Sequence, residues 1–193
     1  MHNVQSGRRG PLEVSRPLLW LGATAAITLF LDQLTKVAIR ASLGLNEAVP
    51  VIPGFFDIAH VENTGAAFGM LPGRRELFIG ISLLMLLAVA VYWWRMRPTA
   101  WPVVIALGLV VGGALGNLID RAFVGKVTDF LAFTLFSPVF NIADSGIVVG
   151  TSVLVIWILF GPDESATAQA STTQDSDDPH VEVGGDPIGD AQR

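Results

Sequence analysis

Apolar residues in this chain run on almost without interruption in four places: 17–39, 77–94, 101–119 and 140–160. The first opens with "PLLWLGATAAITLFL" and the next two read "LFIGISLLMLLAVAVYWW" and "WPVVIALGLVVGGALGNLI"; the last starts "FNIADSGIVVG" and continues as "TSVLVIWILF". Helices apolar on every side are buried in large cores or in lipid. Each stretch is long enough to cross a hydrocarbon layer of about 30 Å, which needs roughly 17 to 25 residues. The pattern therefore predicts an all-α membrane protein with four transmembrane helices. Between the first and second spans, "VPVIPGFFDIAHV" changes to partial alternation punctuated by Pro and Gly, which predicts short strands. After Phe160 the chain becomes "GPDESATAQASTTQDSDDPHVEVGGDPIGDAQR", with almost nothing to bury. The expected organisation is an N-terminal segment over 1–16, a membrane domain over 17–160 and a disordered acidic tail over 161–193.

Composition strengthens the membrane reading. Hydrophobic residues make up 51% of the 193 positions and charged ones 15%, against about 25% charged in soluble domains. The net charge of -5 belongs to the tail, which holds eight acids and only Arg193; outside it, nine of the 17 acids face 11 of the 12 Lys and Arg. Cysteine is absent, which excludes disulfides, thiolate metal sites and a Cys nucleophile. The first span follows Arg8, Arg9 and Arg16 as a signal peptide would, but it ends in "DQLTK" without a small-residue cleavage pattern and is expected to be retained. Trp20, Trp93, Trp94, Trp101 and Trp157 lie near span ends, where an interfacial belt would sit. Gly108, Gly112 and Gly116 form one stripe of the third span, suited to close helix packing.

Counting crossings locates the candidate chemistry. The ends of the first and third spans and the start of the fourth emerge on one side. They carry Asp32 and Lys36, then Asn117, Asp120 and Arg121, then Asn141 and Asp144. Loops on that side add Asn63 and Asp129. Ionisable groups at membrane depth usually face a protein interior or a wet cavity. Plain structural roles compete at each position. Asp32 and Lys36 are spaced for an i,i+4 ion pair, Asp120 and Arg121 could neutralise each other, and Asp129 could be a solvated loop residue. Asp144 could be a helix N-cap. Two carboxylates brought together at a low-dielectric boundary would instead share a proton, which is the equipment of aspartic proteolysis. His60 is the sole histidine outside the chain ends and is expected half-exposed on a strand. That makes a Ser-His-Asp triad or a three-histidine zinc site implausible, and no phosphate loop is present. A proton or ion relay through the membrane and a structural assembly protein with a glycine interface are the competing function classes.

The segments "DQLTK" (32–36), "NTGAAFG" (63–69), "GNLIDR" (116–121) with "GKVTDF" (125–130), and "FNIADS" (140–145) resemble the bacterial lipoprotein signal peptidases, the signal peptidase II family. The resemblance spans residues 17–160. It implies a four-helix membrane aspartyl endopeptidase with a small extracytoplasmic β-sheet between helices one and two. Such an enzyme removes the signal peptide from diacylglyceryl-modified prolipoproteins, cutting before the lipidated cysteine. The family's catalytic pair falls on Asp129 and Asp144, and its supporting residues on Asp32, Lys36, Asn63, Asn117, Asp120, Arg121 and Asn141. Neither cofactor nor metal is implied. The expected partners are lipidated precursors and membrane lipid, not nucleic acid, and the chain is expected to act as a monomer. Thr128 departs from the family's frequent Val and would place a hydroxyl beside Asp129. Cytoplasmic termini and an extracytoplasmic site are implied as well. Basic residues lean the same way only slightly, six against five before Lys36 and Arg121 are set aside as paired and four against five after.

Overall fold

Uninterrupted apolar sequence gives four long helices in a computed structural model that describes residues 11–65, 74–136 and 138–162. They are α1 (Pro11–Ser42), α2 (Arg75–Met96), α3 (Trp101–Ile119) and α4 (Ile142–Phe160). All four are long and apolar enough to cross a membrane. The helix α1 extends beyond the expected span at both ends. Residues 66–69 of "NTGAAFG", the first ten residues and the tail from 163 lie outside the described residues.

The third helix is the hub. About 61% of its most apolar window is buried inside the protein, against 17% for α1 and α4 and 6% for α2. Leu84 and Leu87 on α2, Phe30 on α1 and Ile158 on α4 remain exposed, as lipid-facing side chains should. The glycine stripe explains the close packing around the hub. Gly108 lies against Thr24, Gly112 against Ala25 and Thr28, and Gly116 against Asp32, all on α1. A Cβ at Gly112 would stand 2.6 Å from the Ala25 carbonyl oxygen, so even alanine would force α1 and α3 apart. Gly113, on another face, does the same for α4 by admitting the Ala143 carbonyl.

The sheet exceeds the sequence expectation. β1 (Ala48–Ile52) and β2 (Phe56–Asn63) come from the first loop, as the alternation predicts. β3 (Val127–Phe133) and β4 (Val139–Phe140) come from the loop after α3, so the sheet is not confined between helices one and two. Strand order is β1-β2-β3-β4, antiparallel throughout. In the β2–β3 register Phe56 pairs with Phe133, whereas Val61 pairs with Asp129 and Asn63 with Val127, so a bulge lies between Ile58 and Val61. Beyond it, Asn63 and Asp129 are diagonal neighbours on one face.

His60 is on β2 as expected but is buried rather than half-exposed. Its Nδ1 lies 2.9 Å from the Leu43 carbonyl, and its backbone pairs with Asn46 and Glu47. It fastens the end of α1 to the sheet, and so it takes no part in the polar cluster described below.

Candidate active site

The site is assembled around the first turn of α4. A helix start leaves backbone N–H groups without partners. Asn141, just before α4, accepts from the Asp144 N–H through Oδ1 at 2.8 Å, and its own N–H donates to Asp144 Oδ2 at 3.3 Å. This is a reciprocal capping box. Asn141 is therefore the cap, and Asp144 is the box's inward-reaching acid, not the N-cap that its position suggested. Asp32, far earlier in the chain, takes another orphan donor: its Oδ1 accepts from the Ala143 N–H at 2.9 Å. The second Asp144 oxygen, Oδ1, accepts from Asn117 Nδ2 at 2.7 Å. Asn117 and Asn141 thus hold the Asp144 carboxylate directly, and Asp32 holds the turn that carries it.

Asp129 lies on β3 and is buried, so it is not a solvated loop residue. Asn141 Nδ2 donates to its Oδ1 at 2.6 Å, and Asn63 Nδ2 donates to its Oδ2 at 2.9 Å. Asn63 is itself held by the Gly65 N–H, which donates to its Oδ1 at 2.9 Å. Asn141 thereby touches both acids, through its side-chain amide to Asp129 and its backbone to Asp144. Both carboxylates line an open cleft of about 230 Å³ together with Asn63, Arg121, Phe140 and Ile147. Burial, followed by the nearby Asp144 charge, pushes the Asp129 carboxyl up to about 7; the two amide donors and the Lys36 charge oppose that rise.

Behind the cleft, Lys36 is fully buried, with Nζ 2.8 Å from Asp32 and 2.9 Å from Asp120. It also donates to Asn117 Oδ1 at 3.4 Å, and Asn141 Nδ2 reaches the same oxygen at 3.3 Å. The i,i+4 pair is real but forms only part of a larger network that ends on both cleft carboxylates. Asp120 and Arg121 do not neutralise each other as their adjacency suggested. A π-helical turn over Asp120–Val124 follows α3 and sends the two side chains in different directions. Asp120 goes inward to Lys36. Arg121 lines the cleft, donates to the Gly65 carbonyl at 3.3 Å and lies 5.1 Å over the Phe78 ring. Arg75 donates to the Ala122 carbonyl at 2.7 Å, bracing that turn.

Two contributors escaped the sequence reading. Gln33 Nε2 lies 3.1 Å from Asp32 and 3.3 Å from Asp120, putting a neutral donor between like charges; its presence inside "DQLTK" was the available signal. Arg40 donates to the Thr128 hydroxyl at 2.9 Å. Since neighbouring strand residues point to opposite faces, that hydroxyl turns away from Asp129 instead of joining it.

Every proposed site residue, Asp32, Lys36, Asn63, Asn117, Asp120, Arg121, Asp129, Asn141 and Asp144, falls in this one connected region. Ionisable groups gathered at one end of the bundle do not make the through-membrane relay that a transporter needs.

Comparison with known proteins gives the same picture. Residues 24–160 match the family model described as Signal peptidase (SPase) II. A lipoprotein signal peptidase of Desulfitobacterium hafniense (strain DSM 10664 / DCB-2) is 44% identical over 142 residues, covering 74% of this chain and 93% of the relative. One from Halothermothrix orenii is 42% identical over 132 residues, covering 68% and 90%. A bacterial membrane enzyme solved by the in meso method at 1.9 Å superposes with a TM-score of 0.67 at 32% identity, over 77% of this chain and 95% of that one. Another, solved at 2.3 Å, gives 0.69 at 31% identity over 78% and 93%.

Proposed function

The chain belongs to the signal peptidase II family, and on that premise we propose that Asp129 and Asp144 are the catalytic dyad of a multi-pass bacterial membrane peptidase acting on prolipoproteins. The observation that carries this reading is the shared cleft in which Asn141 holds both carboxylates. An ionised acid takes a proton from water as the water attacks the scissile carbonyl. The protonated acid hydrogen-bonds the carbonyl oxygen as it gains charge, then supplies a proton to the leaving amine. Asp144 suits the first role, because it sits in the opening turn of α4, where the helix dipole favours an anion. Asp129, pushed up to about 7, suits the second.

The remaining groups orient the pair. Asn63, Asn117 and Asn141 fix the carboxylate planes, and Arg121 offers a cation at the cleft wall for a substrate carbonyl. Asp32, Lys36 and Asp120 form the rigid floor on which α4 begins. The scissile bond must meet water while the acyl chains stay in lipid, and a dyad at the span ends suits that division. Buried acyl chain contributes about 0.8 kcal/mol per CH2, so lipidation supplies much of the affinity. We place the termini in the cytoplasm and the cleft at the outer face, with one chain carrying the complete site.

The decisive experiment incubates purified protein with a diacylglyceryl-modified prolipoprotein and with its unlipidated form. Cleavage of the lipidated form alone, before the modified cysteine, is the expected result; equal cleavage of both, or of neither, overturns the reading.

A pH prediction follows from Asp129. With its ionisation near 7, the dyad loses its last proton as pH rises through that value, and kcat/KM falls on the alkaline side. Apparent values belong to the pair as a unit. The Asn63 amide favours the ionised form of Asp129, so Asn63→Ala should move the alkaline limb to higher pH. A pH–rate profile checks this. An unmoved limb or a shift to lower pH would remove Asn63 from the proposed role.

A further inference from the structure

At the end of the bundle remote from the cleft, α1 and α3 both line a second cavity. Arg16 precedes Asp32 by 16 residues on the same helix, which at 1.5 Å per residue places it about 24 Å away along the axis. In the middle of the pair, Gly108 lets Thr24 and the Leu21 carbonyl come into contact. Nearer the helix starts the glycines end, and α3 presents Trp101, Val104 and Ile105 instead. The cavity, of about 450 Å³, opens there, lined also by Arg16, Trp20 and Thr99.

Its chemistry is uneven in an informative way. Among the described residues, Arg16 is the single ionisable group in the lining, and Thr99 adds one hydroxyl. Trp20 and Trp101 stand at the mouth, 65% and 73% exposed, and Val104 forms a buried apolar base. Both walls are helices fit to cross a membrane, so the mouth lies where those spans leave the hydrocarbon. Indoles favour that boundary, apolar body toward the chains and N–H toward the headgroups. A guanidinium matches the oxygens of a phosphate in a fork of two hydrogen bonds. The volume falls within the range that holds one amphiphile headgroup and the upper part of a chain.

We propose that this cavity binds one anionic phospholipid, with its phosphate on Arg16, the Trp20 and Trp101 indoles flanking the headgroup, and an acyl chain against Val104 and Ile105. The occupant is argued from charge complementarity and from the solvent of these helices, which is lipid. The site uses none of the residues in the proposed dyad, so its failure and the failure of the peptidase reading are separable.

The test reconstitutes the full-length protein into phosphatidylcholine vesicles doped, at equal mole fraction, with brominated phosphatidylglycerol or brominated phosphatidylcholine, and follows quenching of tryptophan fluorescence. The anionic lipid should win by roughly fivefold in apparent affinity, equivalent to about 1 kcal/mol for one basic group near a membrane. Arg16→Gln should erase that preference and Arg16→Lys should restore part of it. Ile105→Phe, which fills the cavity without changing charge, should weaken it as well. Arg95→Gln removes a basic residue from the last turn of α2, at the same end but outside the cavity, and should leave the preference intact. Equal quenching by both lipids in the wild-type protein overturns the proposal. So does a preference that survives Arg16→Gln or Ile105→Phe, or one that Arg95→Gln erases equally, since that would mean diffuse charge attraction. Competition by free inorganic phosphate at the same concentration as the lipid would overturn the lipid assignment.

Discussion

Replacing Asp129 or Asp144 with Asn is expected to stop cleavage of a diacylglyceryl-modified precursor while the four-helix protein stays folded. General acid–base groups contribute about 10²–10⁴-fold to rate, so each variant should lose at least about a thousandfold in kcat/KM when the two proton transfers depend on one another. The substitutions are near in shape but not in bonding. Asp144 accepts from Asn117 Nδ2 and from the Asn141 N–H, and an amide there must turn an NH2 toward one of these donors. Asp129 accepts from the Asn63 and Asn141 amides, and the same conflict arises. A thermal melt beside the cleavage assay therefore distinguishes a lost proton carrier from a disturbed fold. Full cleavage by either folded variant would sink the dyad.

The second large effect concerns Lys36, which touches neither Asp129 nor Asp144. Its ammonium is buried between Asp32 and Asp120. Substitution by Met keeps the volume and removes the charge, leaving two carboxylates out of water with only Gln33 between them. Breaking a buried charge pair in this way costs about 3–5 kcal/mol. Lys36→Met should accordingly unfold at a much lower denaturant concentration in detergent. Adding Asp120→Asn should recover part of the loss, because one of the stranded charges is then gone. A Lys36→Met protein within about 1 kcal/mol of wild type would show that the network is dispensable. Activity should fall in parallel, because Asp32 holds the Ala143 N–H and so the first turn that carries Asp144.

Much of this was legible in the chain. Long apolar runs fix four spans without ambiguity because no other element uses them, and parity of the crossings gathers the polar span ends on one side. The pairing of particular groups was not legible. Asp120 and Arg121 are adjacent, and only the π-helical turn sends one to Lys36 and the other to the cleft; nothing in "LIDRAFV" announces a wider turn. β3 was missed because "VTDFLAF" is nearly continuous in apolar residues and lacks the alternation that marked β2. His60 was placed on the right element with the wrong exposure, since alternation does not reveal that the end of α1 folds over it. Asn141 and Asp144 were both picked out, but the cap was sought at Asp144 and is Asn141. Either residue type caps helices, and the reciprocal geometry decides between them.

The irregularity in β2 gives the site a sensitivity that point substitutions would not reveal. One extra residue between Ile58 and Val61 brings Asn63 diagonal to Asp129. Were the intact strand to pair without the bulge, every side chain after it would advance by one position on β3 and change face, so Glu62 would stand opposite Val127, where Asn63 does. A neutral donor beside the dyad would become a third carboxylate, and Lys126, now 2.5 Å from Glu62, would lose its partner. Register in this short segment is therefore a chemical variable. Among natural relatives, insertions should be excluded from Ile58 to Asn63 more strictly than substitutions at Ala59.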